Sequence, residues 1–205
     1  MKQLTATLLA LLFCAHSFAQ DGSEKPNYKK EKRESSNRPP VLYITPSTGI
    51  NNNTGLVGVS LDVPVTQKVS IEGGAGLSTW GDKLYIGGKY FLQPGHRGWA
   101  FGGGLTYNTG ISNYQPTLET IYNTNEVVQL DLHPQTNVFL AAYRYWKLGR
   151  RANRIYLELG WSVALSGNRF DQTAGDQISD NANNEMNLLA PGGLIVGCGF
   201  SFGVH

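Results

Sequence analysis

Five charged residues of this chain are the ones whose types and spacing could do joint chemistry: Asp62, Glu72, Lys89, Arg144 and Glu158. Each falls where residue-by-residue alternation puts polar side chains on one side of an extended segment. Gathered away from water, three acids and two bases would form ion pairs. Arg144 could fork to Glu72 or Glu158, and Lys89 could complete the cluster. Near-balance of charge is what burial demands. Such a cluster could gate an ion path or fill a narrow interior.

Other candidate chemistry is thin. Past the leader the histidines are His96, His133 and His205, and only His133 has a nearby acid, Asp131 two residues earlier. No serine stands two residues from His133, so the pairing of nucleophile and base is missing and no catalytic residue is expected. Asp171, Asp176, Asp180 and Glu185 lie among many Asn and Gln residues, but their spacing does not match an EF-hand loop. The run Gly102-Gly103-Gly104 opens no helix, so it is not a phosphate cradle. Cys198 is the only cysteine after the leader, which excludes an internal disulfide and a multi-cysteine metal site. No metal and no cofactor are expected.

The elements that must position the five charges are strands. Beyond Pro40 the sequence reads as eight, at about 41–49, 55–65, 68–78, 83–92, 98–109, 136–147, 154–165 and 193–204. Lengths of about 9–12 residues suit tilted membrane strands. The last strand shows the pattern best. Leu194, Val196, Phe200, Phe202 and Val204 alternate with Gly193, Gly197, Gly199, Ser201 and Gly203. One face is apolar and the other small or polar. By the same parity Val57 to Val65, Val69, Ile71, Leu77, Leu84, Ile86, Phe101, Leu105, Leu157, Leu159 and Val163 face outward. On the sixth strand Phe139, Ala141, Tyr143 and Tyr145 are expected to face outward, with Arg144 and Trp146 inward. The first strand has no clean parity. Tyr43, Tyr90, Trp99, Tyr107, Tyr145 and Trp161 lie towards strand ends, where aromatic girdles meet lipid headgroups.

A barrel apolar outside and polar inside belongs in a bilayer, since a soluble barrel needs the reverse. The expected fold class is therefore all-β: an eight-stranded antiparallel up-and-down transmembrane β-barrel. Its inward charges would lie in one layer, roughly 10–13 Å above one rim at ~3.3 Å per residue. An interior just wide enough for side chains favours a plug over a gate. The two longest connections, about 110–135 and 166–192, leave on the same side and read as mobile polar loops. Short turns lie opposite, and an even strand number puts both termini there.

Residues 1–20 read as a signal peptide, with Lys2, an apolar run from Leu4 to Phe13, and Ser17-Phe18-Ala19 before cleavage after Ala19 or Gln20. Residues 21–40 read as a disordered periplasmic linker, and 41–205 as the barrel. The formal net charge of +2 argues against nucleic acid as a partner. Glycine, at 25 of 205 residues, suits short barrel strands.

The strand pattern, the loop asymmetry and the closing Gly-Phe-Ser-Phe-Gly-Val-His resemble the small eight-stranded outer-membrane barrels, the group of the outer-membrane protein A transmembrane domain and outer-membrane protein X. The resemblance covers roughly residues 41–205. It implies residence in the cell outer membrane with both termini periplasmic, outer-membrane lipids as surroundings, and barrel-insertion machinery as a partner. That machinery would read the closing strand through Phe200 and Phe202, although His205 is the last residue here. The expected role is a monomeric structural or surface-interaction scaffold, with an extracellular ligand of unknown kind at the long loops. A narrow channel for small solutes or ions comes second, and a lipid-modifying outer-membrane enzyme third.

Overall fold

A computed structural model describes residues 40–122, 124–149 and 152–205. The expected signal peptide, and the linker apart from Pro40, lie outside the described residues.

Eight strands close into one antiparallel barrel. In chain order they are β1 (Leu42–Ile50), β2 (Val57–Pro64), β3 (Val69–Ser78), β4 (Gly81–Gln93), β5 (Arg97–Asn108), β10 (Gln135–Lys147), β11 (Arg154–Ala164) and β13 (Gly193–Val204). Each pairs with the next, and β13 closes on β1, with Leu42 opposite Val204 and Ile50 opposite Val196. Closure leaves no unpaired edge, the hazard an open sheet of this size would carry.

Alternation decides which side chains meet inside. On β2, Val57, Val59, Leu61 and Val63 are exposed while Ser60 and Asp62 are buried. On β3, β4, β5, β11 and β13 exposed positions alternate with buried or half-buried ones in the same way. Strand β1 turns Tyr43, Thr45 and Ser47 inward.

Strand β10 departs from expectation. Phe139, Ala141, Tyr143 and Tyr145 are buried in the interior, while Leu140 and Trp146 are exposed and Arg144 lies on the outer face. The cause is volume. β10 pairs with β5 through Phe139 opposite Gly104 and Ala141 opposite Gly102, and Gly87 lies beyond on β4. Those glycines leave a hollow that only bulky inward side chains can fill. Phe139, Tyr143 and Tyr145 fill it, together with Tyr85, Phe91, Tyr156 and Ile195.

The two long connections are not loose loops. They contain β6 (Ile111–Tyr114), β7 (Thr117–Glu119), β8 (Asn125–Val127), β9 (Gln129–Leu132), β12 (Phe170–Ala174) and α1 (Asp180–Leu189). β9 lies between β6 and β12, and β7 pairs with β8. The Ser179 hydroxyl caps α1 by accepting from the Ala182 N–H at 3.2 Å. A second apolar core forms here from Trp80, Val128, Leu130, Leu132, Met186 and Ala190. Trp80 sits in the tight β3–β4 turn and donates from Nε1 to the His133 carbonyl at 2.9 Å, which joins this cap to the barrel end.

Candidate functional site

Among the described residues the barrel interior gathers the buried charged groups, three carboxylates and three cations. Asp62, Glu72, Glu158, Lys83, Lys89 and Arg154 are all buried. Four of the five residues expected there are present. Arg144 is not: β10 turns it to the outer wall, 5.4 Å from the Trp99 ring and 5.8 Å from Trp146. Arg154 and Lys83 take its place. Both share the inward parity of their strands with Glu158 and Lys89, so the signal was present in the sequence.

The groups form three tiers. At the short-turn end Arg154, on the first residue of β11, donates from Nη2 to Asp62 Oδ2 at 2.6 Å and from Nη1 to the His96 carbonyl at 2.7 Å. Its guanidinium lies 3.7 Å from the Tyr43 ring centroid and 4.4 Å from that of Tyr145. Tyr43 and Tyr145, expected in the aromatic girdle, are instead interior residues that brace this arginine. The other four residues expected there, Tyr90, Trp99, Tyr107 and Trp161, are exposed on the outer wall.

In the middle tier Lys89 pairs with Glu72, which also accepts from the Tyr85 hydroxyl at 3.1 Å. The Lys89 ammonium lies 4.4 Å from the Tyr143 ring centroid. Glycine makes room for these rings. A Cβ at Gly199 would stand 2.5 Å from the Tyr156 ring, and one at Gly74 would stand 2.6 Å from Tyr85.

The third tier was not expected. The segment Asn51–Gly55 between β1 and β2 folds into the barrel, and Asn52, Asn53 and Thr54 are buried. Asn53 Nδ2 donates to Glu158 Oε1 at 2.6 Å and to the Tyr143 hydroxyl at 2.9 Å. From β4, Lys83 donates to the Asn52 carbonyl at 2.8 Å and to the Asn51 carbonyl at 3.3 Å. Glu158 therefore binds the inserted segment rather than an arginine. The segment is held between a cation on one wall and a carboxylate on another.

In the turn before β5, His96 packs edge-on to Phe91 at 4.7 Å. Burial, and then the Arg154 cation, push its imidazole below the usual histidine range.

In the cap, His133 Nε2 meets Asp171 Oδ2 at 2.9 Å, while Asp131 accepts from the Asn113 N–H at 2.8 Å. The hydrogen bonds from His133 and Asn168 lower the Asp171 carboxyl. Among the described residues the His133 side chain bonds only Asp171, and no cluster of three or more His, Cys, Asp or Glu could hold a metal. Phe200 and Phe202 lie on the outer face of β13, with ring centroids 4.4 Å apart.

No protein-family model matches the chain, and no match to it was found among curated proteins.

Proposed function

We propose that this protein is an integral outer-membrane β-barrel: a monomeric scaffold with a plugged interior that presents a folded cap at the cell surface. The observation that carries the reading is the contrast across single strands. On β2, Leu61 is 49% exposed while Asp62 beside it is 2% exposed. On β11, Leu157 and Leu159 are exposed and Glu158 between them is buried. Exposed apolar rows of this kind support contact with lipid rather than water. The leader-like start of the sequence supports export.

The inserted Asn51–Gly55 segment supports a plug rather than a passage. The cap supports a role in surface interaction. Its exposed Leu188, Tyr122, Ile121 and Val127 are candidate contacts for an extracellular partner. The His133–Asp171 pair ties the residue that follows β9 to β12 and so helps hold the cap together.

Two measurements test the reading. The detergent-purified protein should insert into lipid vesicles and run as a heat-modifiable barrel. In planar bilayers the wild type should pass little current, and Asn53→Ala should open more often because the segment loses its bonds to Glu158 and Tyr143. Steady large currents from the wild type would replace the scaffold with a channel. A chain that stays folded in water without lipid or detergent would end the membrane reading.

A further inference from the structure

The outer wall is not evenly apolar. Where β5, β10 and β11 meet their short-turn ends it carries Arg97 and Arg144 beside the exposed Trp99 and Trp146. Arg144 is braced by both tryptophan rings. Among the described residues neither arginine is in an ion pair. Strands β5 and β10 contain no carboxylate, and the one on β11, Glu158, is buried inside. A cation fixed on an apolar wall without a counter-ion matches an anion that arrives attached to hydrocarbon.

Beside Arg144 the wall is dented. One cross-strand row runs from Arg144 to Leu157, from Leu157 to Cys198, and from Cys198 to Thr48. Thr48 and Cys198 are small, so the row sinks between Pro46, Phe200 and Trp146 into a groove of about 950 Å3 with an almost wholly apolar lining. Neighbouring strands lie ~4.8 Å apart, so this trough extends roughly 14 Å from the guanidinium's strand.

The geometry points to a glycerophospholipid site, with the phosphate diester on the Arg144 guanidinium and one acyl chain along Leu157, Cys198 and Thr48. The inference rests on the membrane reading above. It assigns the lipid to the leaflet on the short-turn side, because Arg144 lies three residues from the end of β10 at Lys147. That distance is about 10 Å along the strand, within reach of the headgroup level for a long side chain.

Native mass spectrometry tests it, on the full chain purified from membranes in detergent and titrated with phosphatidylglycerol. Wild type should retain one lipid above the nonspecific background. Arg144→Gln, which loses the charge-assisted bond, and Cys198→Phe, which fills the trough, should each weaken binding about tenfold. Ile86→Phe, an enlargement on the outer wall of β4, should bind as wild type does. A micelle-embedded, heat-modifiable barrel whose Arg144→Gln and Cys198→Phe variants bind like wild type would overturn the lipid site alone. A wild type that is folded and soluble without detergent would overturn the membrane reading and the site together.

Discussion

Replacing Arg154 with alanine should cost more than any other single change at the short-turn end of the barrel. The side chain is buried and carries two charge-assisted hydrogen bonds, at 2.6 Å to Asp62 and 2.7 Å to the His96 carbonyl. It also faces Tyr43 and Tyr145. Removing one partner of a buried pair costs ~3–5 kcal/mol, because the other charge stays buried and unpaired. Asp62 Oδ1 already lacks a partner, so no second donor stands ready to take over. With a slope of about 2 kcal/mol/M, the urea midpoint in lipid vesicles should fall by roughly 1.5–2.5 M. Tryptophan fluorescence reports the transition. Arg154→Ala combined with Asp62→Asn should recover part of the loss, since the stranded charge is gone. Arg144→Ala should shift the midpoint far less, because that guanidinium lies on the outer wall. Equal losses for Arg154→Ala and Arg144→Ala, or no loss for Arg154→Ala, would refute the assignment of Arg154 as the interior arginine.

Three further changes test other parts of the molecule. Trp80→Ala empties the centre of the cap core and should loosen the cap by about 3–5 kcal/mol, read as faster proteolysis within 166–192 while the barrel stays heat-modifiable. His96 is held below its usual range by burial and by Arg154, so its neutral form is favoured in the folded state. Its contribution is complete above about pH 6.5 and is lost as pH falls through the lowered value. His96→Asn, which tolerates the backbone φ of 53°, should therefore lose less stability than wild type between pH 7.5 and pH 5 in urea titrations, and equal losses would deny His96 this role. On the proposed membrane reading, Asp at both Phe200 and Phe202 should block assembly, since charges facing lipid cost up to a few kcal/mol at depth. A normally assembled double variant would contradict the outward placement of this strand.

The strand positions were legible because most strands oppose large apolar residues to small or charged ones, as in β2 and β13. The facing of β10 is not legible in its own sequence. Its sequence from Phe139 to Trp146 is bulky on both faces, so alternation alone gives no direction. The deciding information sat on its neighbours, where Gly102 and Gly104 demand large inward partners. Inverting β10 puts Arg144 inside by pattern, whereas the parity of Arg154 on β11 and Lys83 on β4 already points inward. The cap was hidden by composition. Val128, Leu130 and Leu132 alternate, but Asn, Thr and Gln around them read as loop. The insertion of Asn51–Gly55 follows from contacts with β4, β10 and β11 that no local pattern encodes.

The inserted segment has a consequence for assembly. Asn51 Nδ2 donates to the Gly192 carbonyl at 2.7 Å, just before the last strand begins, and to Ser162 Oγ at 3.2 Å on β11. These bonds cross the seam where the first and last strands meet. They can form only when that seam is shut, and the neighbouring Asn52, Asn53 and Thr54 are buried in the barrel interior. Closure of the seam and seating of the segment are thus coupled: an open seam would cost the segment both Asn51 bonds.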